Sequence, residues 1–267
     1  MKYYLEKFLS LIDIFGFFEK DPFGNYLFIK RLIISFLGII TYNRLAYYNK
    51  IVIEGTEHLD DLPDSGVLFL SNHQTYFMDV IAMYHIFFSV KWGFRNTLQY
   101  PIYLLAPRAR TFYVAASETM HEGGIIPKML AQGGALTIQR SWRAKGQDVK
   151  REVDTSANDK VGKGLDFGWV VSFPQGTTTP YAPIRKGTAF LIKEHNPIVI
   201  PVVINGFRRA FDKKGLLIKK LNTTLSVKFQ PPMQFAEDES VESITERIRD
   251  AIGQKIPVDK LVWKQEE

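Results

Sequence analysis

From Lys50 onward the chain alternates short apolar runs rich in β-branched residues with stretches of helical periodicity, and this constrains its fold more than any other feature. Strands are expected at residues 51–54, 67–70, 90–94, 112–115, 136–138, 169–173, 198–204 and 225–229. Helices are expected at 80–88, 100–106, 126–132, 186–195 and 241–252. Alternation of this kind predicts an α/β layered domain with a largely parallel sheet flanked by helices. The run 198–204 is apolar except at Pro201, which implies burial on both faces, with the proline at an edge, a bulge or a strand end. The polar stretch 145–164 reads as a loop or a solvated helix. No repeat or linker divides the body, so one domain is expected over residues 50–267.

Residues 1–49 read as a helical hairpin. Leu5, Phe8, Leu9, Ile12 and Phe15 form a near-helical stripe, residues 21–25 (DPFGN) form a turn, and residues 32–43 are uncharged. That uncharged run is too short to span a bilayer core, which takes about 20 residues. It also starts too late for a secretory signal peptide. Two readings follow. The stripes pack on the body as ordinary core, or the hairpin, dense in aromatics between Lys and Arg flanks, lies in a membrane interface without crossing it. The expected organisation is a membrane-associating hairpin ahead of the α/β domain.

The 267 residues include no cysteine, which excludes disulfides, thiolate metal cages and a cysteine nucleophile. The net charge of +6 favours anionic partners: nucleic acid, phosphorylated metabolites or acidic lipid. No Lys/Arg stripe with aromatic stacking positions marks a nucleic-acid binder. Neither a G-x-S-x-G elbow nor a phosphate loop occurs, and the five histidines lack metal-ligand spacing.

The chemistry collects just after the expected strands, where sites form in open α/β sheets. After 67–70 comes SNHQTYFMD, in which His73 and Asp79 suit a general base and the acid that orients it. Residues 133–140 (GGALTIQR) end in Arg140, whose guanidinium suits a phosphate. Residues 173–179 (FPQGTTT) break a strand into a turn whose N–H groups and hydroxyls suit an anion or an alcohol.

In this order the segments resemble the glycerolipid acyltransferase superfamily, most of all the 1-acyl-sn-glycerol-3-phosphate (lysophosphatidic acid) acyltransferases. Asn72, His73 and Asp79 match the family's Asn-His-x4-Asp block, and Gly134, Ile138 and Arg140 its Gly-x-x-Phe-Ile-x-Arg block. Phe173, Pro174, Gly176 and Thr177 match Phe-Pro-Glu-Gly-Thr-Arg, with Lys186-Gly187 as the Lys-Gly beyond it. Residues 200–203 match the apolar Pro-Val block, so the resemblance covers about residues 50–210. There are departures. The spacing is His-x5-Asp, so on a continuous helix the acid would be turned by about 600° instead of 500° unless a non-helical turn absorbs the extra residue. Gln175 stands at the family's Glu and Thr178 at its Arg.

The resemblance implies transfer of a fatty acyl group from a thioester to the sn-2 hydroxyl of lysophosphatidate. His73 and Asp79 would be catalytic; Arg140, Gly176, Thr177, Gln175 and Lys186 would bind substrate. It implies no cofactor and no metal, with acyl-CoA or acyl carrier protein as co-substrate. It also implies a lysophospholipid acceptor, a membrane surface as partner, and a location on the cytoplasmic face of the cell membrane. The alternatives are an O-acyltransferase for another lyso-lipid, such as an amino-acid lipid, and an inactive membrane lipid-binding protein.

Overall fold

The structure is a computed structural model that describes residues 18–121, 124–139, 143–144, 147–148 and 156–255. The first arm of the expected hairpin, up to residue 17, lies outside them, as does Arg140. In chain order the elements are α1 (Leu27–Ala46), β1 (Lys50–Glu54), β2 (Val67–Ser71), α2 (Met78–Lys91), β3 (Thr111–Ala116), α3 (Ser117–His121), α4 (Ile125–Gln132) and β4 (Ala135–Ile138). There follow β5 (Arg143–Ala144), β6 (Gln147–Asp148), α5 (Ser156–Phe167), β7 (Trp169–Ser172), α6 (Gly187–His195), β8 (Ile198–Asn205), α7 (Phe207–Ala210), β9 (Thr224–Phe229) and α8 (Val241–Ala251).

Seven strands form one sheet in the order β1-β9-β8-β2-β7-β3-β4. From β8 to β4 all neighbours are parallel; β9 runs antiparallel to β8, and β1 runs parallel to β9. This is the expected α/β layered domain with a largely parallel sheet. Strand periodicity divides the core in two. Val67 and Phe69 of β2 face a cluster shared with α1 and α2, while Leu68 and Leu70 face one built with α5, α6 and α8. All of β2 is buried, as a central parallel strand covered on both sides must be.

Two expectations are corrected, and a third is narrowed to one of its two readings. Residues 90–94 are not a strand: Val90 and Lys91 end α2, and Trp92 caps it with its N–H on Phe88 O (3.2 Å). Every residue from Met78 to Val90 is buried, and a helix buried all round has no polar face to mark its period. Residues 100–106 hold a single 3₁₀ turn, Pro101–Leu104. Within 145–164 the chain contributes β6 and most of α5, whose Val161 and Leu165 enter the second core cluster.

Helix α1 is the second arm of the expected hairpin. Leu27, Lys30, Ile34, Gly38, Thr41, Tyr42 and Leu45 recur at helical spacing on its buried side. Ile34, Tyr42 and Leu45 belong to the main core cluster, so α1 is continuous with the body. His85 of α2 bridges it polar-wise: Thr41 Oγ1 lies 3.1 Å from His85 Nε2, and Tyr103 Oη lies 3.0 Å from Nδ1. Thr41 donates to Leu37 O, so it accepts from Nε2–H, and Nδ1 accepts from Tyr103. Burial pushes the His85 pKa down to about 3, which keeps the ring neutral. On the opposite side of α1, Ile29, Leu32, Phe36, Ile39 and Ile40 are exposed. Among the described residues no helix is long and apolar enough to cross a membrane.

Candidate active site

The parallel strands β2, β7, β3 and β4 deliver their carboxyl ends to one cleft of about 690 Å³. His73 lies just past β2, Phe173 and Pro174 past β7, Ala115 and Ala116 at the end of β3, and Ile138 and Gln139 at the end of β4; all line it. Such a volume suits a small-molecule site.

Residues 72–77 leave β2 without entering a helix, and α2 begins only at Met78. This non-helical turn absorbs the sixth step of the His-x5-Asp spacing. His73 Nδ1 lies 2.9 Å from Asp79 Oδ2. That oxygen also accepts the backbone N–H of Gln74 (2.6 Å) and of Thr75 (2.9 Å), and Oδ1 accepts the Thr75 hydroxyl (2.7 Å). Asp79 is fully buried in the first turn of α2, where the helix dipole favours an anion. Four donors therefore satisfy a buried carboxylate, and the imidazole donates a hydrogen bond to it from Nδ1–H. Nε2 is left as the unprotonated nitrogen. Phe173 stacks on the imidazole with centroids 3.9 Å apart and planes 22° apart, which covers one face of the ring.

Asn72 does not touch the cleft. Its side chain clasps the backbone of Ile204 in β8, donating to the carbonyl (2.9 Å) and accepting from the N–H (2.8 Å). This clasp joins the ends of β2 and β8 beneath the His73 turn.

The residues of the 173–179 turn separate into two groups. Gly176 and Thr177 line the cleft. Gly176 adopts φ +63°, and its N–H closes the turn onto Phe173 O (2.9 Å). Gln175, expected to bind substrate, is not among the residues that line the cleft. It is buried, its Nε2 donating to Ala182 O (2.9 Å) and to Gln254 Oε1 (2.9 Å). Gln254 Oε1 also accepts the N–H of Tyr181, a non-glycine residue at φ +56°. The amide at 175 thus holds the far side of the turn. Lys186 lines the cleft, but its ammonium lies 2.5 Å from Glu242 Oε1, so its charge is compensated. Arg140 lies outside the described residues.

Beyond the motif residues, Arg185 and Lys213 line the cleft and Arg208 lies beside it. The Lys213 Nζ lies 5.7 Å from the centroid of the Tyr76 ring, which lines the cleft too. Arg208 of α7 donates through its guanidinium to Thr178 O, beside the position where the family carries an arginine. The run 208–220 (RRAFDKKGLLIKK) holds six Lys and Arg, a charge pattern that could have flagged it.

Residues 50–205 match the family model Acyltransferase. No curated protein matches the chain. Among solved structures, the fold is similar to the crystal structure of the 1-acyl-sn-glycerophosphate (LPA) acyltransferase PlsC from Thermotoga maritima. The TM-score is 0.50 at 17% identity, over 85% of this chain and 78% of that one, a likeness of fold. The family model spans more than half of the chain and contains both His73 and Asp79, so the chain belongs to the acyltransferase family and is an acyltransferase.

Proposed function

We propose that this enzyme of lipid biosynthesis transfers a fatty acyl group from acyl-CoA or acyl carrier protein to the sn-2 hydroxyl of lysophosphatidate. The observation that carries the reading is the His73–Asp79 pair, 2.9 Å apart, with His73 lining a cleft of about 690 Å³. In this mechanism Nε2 of His73 takes the hydroxyl proton as the acceptor oxygen attacks the thioester carbonyl carbon. The C–S bond then breaks, and the imidazolium returns the proton to the departing thiolate. Asp79 fixes the tautomer and stabilises the imidazolium. Gly176 and Thr177 shape the acceptor side of the cleft, and Arg140 is assigned to the acceptor phosphate by the family resemblance.

A second acceptor class is favoured by one observation. Thr178 replaces the family's arginine, so residues 173–178 carry no cationic side chain, and Lys186 beyond them is paired with Glu242. Another lyso-lipid would then be the substrate. The exposed apolar stripe of α1 supports the membrane surface as the place where the acceptor is met.

Purified protein, offered both donors with lysophosphatidate and a panel of other lyso-lipids, tests the reading. Lysophosphatidate should be acylated, and His73→Ala should lower the rate by about 10²–10⁴-fold. Acylation of other lyso-lipids alone transfers the reading to the second class. A wild-type rate in His73→Ala overturns the mechanism, and no thioester consumption at all favours a lipid-binding protein.

A further inference from the structure

The turn that compensates for the His-x5-Asp spacing is held by the Asp79 carboxylate within residues 73–75, and beyond them by a distant segment. Tyr76 and Phe77 precede α2, and their N–H groups have no intrahelical acceptor. Both are taken by a loop distant in sequence, between α7 and β9: Tyr76 N donates to Lys213 O (3.0 Å) and Phe77 N to Lys214 O (3.0 Å).

The loop is itself tightly built. Asp212 Oδ1 accepts the N–H groups of Leu216 (2.8 Å) and Leu217 (2.9 Å), and Asp212 N donates to Leu217 O (2.9 Å). Arg44 of α1 donates to Leu216 O from the other side. Where the loop meets the turn stands Gly215, at φ +79°. A Cβ there would lie 2.7 Å from Met78 N and 2.9 Å from Thr75 Oγ1. Met78 N is backbone at the start of α2 and cannot yield alone. Thr75 Oγ1 is the donor to Asp79 Oδ1. A side chain at 215 therefore acts on the groups that orient Asp79.

We propose that residues 212–217 position the catalytic pair: the loop sets the turn in which the extra residue is absorbed, and Gly215 is the residue its contact with that turn requires. The inference rests on the assignment of His73 and Asp79 as base and orienter, and it makes Gly215 and Asp212 positioning residues.

The test compares Gly215→Ala with Gly66→Ala, a matched glycine at φ +76° with nothing within 4 Å of its added Cβ. Both variants carry the backbone penalty of a left-handed residue, but only the first reaches the turn. Expected for Gly215→Ala is a kcat about 10-fold lower or more, with KM within about 2-fold, because misplacement of the base acts on the transition state. The downfield proton resonance of His73 Nδ1–H should shift or broaden in Gly215→Ala and not in Gly66→Ala. In an Asp79→Asn background Gly215→Ala should cause no further loss of kcat, since both act through one group. Equal kcat in the two glycine variants, or full additivity with Asp79→Asn, overturns the proposal. Should Gly215→Ala not fold, Asp212→Ala is read by the same kcat and proton resonance, and wild-type values there overturn it. His73→Ala separates the two levels. A wild-type rate in His73→Ala defeats the assignment of the base; loss there with an unaffected Gly215→Ala defeats only the positioning role.

Discussion

At the scale of single residues the site combines a satisfied buried acid with a cleft whose positive charge comes from unexpected places. Four hydrogen bonds converge on Asp79, so its orientation is fixed before any substrate arrives. Lys186 was expected to bind substrate but has a carboxylate partner, whereas Lys213 projects into the same cleft beside Tyr76. A cation that holds a non-reacting phosphate contributes equally to ground and transition states. Lys213→Ala should therefore raise KM for lysophosphatidate by about 10-fold with kcat nearly unchanged. Monoacylglycerol, which lacks the phosphate, should show no such change. Steady-state kinetics on the two acceptors checks this. Gln175 illustrates the limit of motif reading. Its type was visible in the sequence, but a buried amide bonded to Ala182 O and Gln254 Oε1 is a property of partners that no local pattern names.

At the scale of elements, helix α1 is bound to the body by packing and by polar contacts of Thr41, Tyr42 and Arg44, the first of them to a buried imidazole. His85 sits between Thr41 of α1 and Tyr103 of the 3₁₀ turn, and protonation would force one of its nitrogens to donate where it now accepts. Its folded pKa of about 3 is below the ordinary value of 6.5, so the unfolded chain takes up the proton first as pH falls. The stability it allows is complete above about pH 6.5 and declines progressively toward pH 3, by roughly 1 kcal/mol per pH unit within that window. Urea denaturation of the wild type and of His85→Gln between pH 7 and pH 4 should show this slope in the wild type. In the variant the contribution should be missing. Helix α2 explains a misread strand: it is buried on every side, and helix and strand leave the same trace in a short, mostly apolar run.

At the scale of the whole molecule, α1 has two unlike sides. One is core; the other presents Ile29, Leu32, Phe36, Ile39 and Ile40 to solvent on a protein of net charge +6. Burial of that stripe in a lipid interface, with basic residues meeting anionic headgroups, is the arrangement our functional reading uses. The triple variant Leu32→Ser, Phe36→Ser, Ile39→Ser should lose sedimentation with anionic vesicles while its thermal unfolding stays close to wild type. Retained sedimentation would place the lipid contact elsewhere. Deletion of α1, by contrast, should abolish the cooperative transition, because Ile34, Tyr42 and Leu45 leave the main core with it.

Much of the architecture was determined by the sequence alone. Alternating apolar runs require a covered parallel sheet, and the ordered blocks around His73, Gly134, Phe173 and Pro201 place the chemistry at strand ends. Both depend on residue type and short spacing, which a linear chain displays directly. Only the tertiary structure decided whether a six-residue step from His73 to Asp79 could work, which of Gln175 and Lys213 reaches the cleft, and that Lys186 is compensated. Each outcome depends on a partner far away in sequence: the loop 212–217 against the turn after β2, Gln254 against Gln175, Glu242 against Lys186. Such pairings are set by how the layers pack, and packing joins residues whose separation along the chain carries no periodic signal.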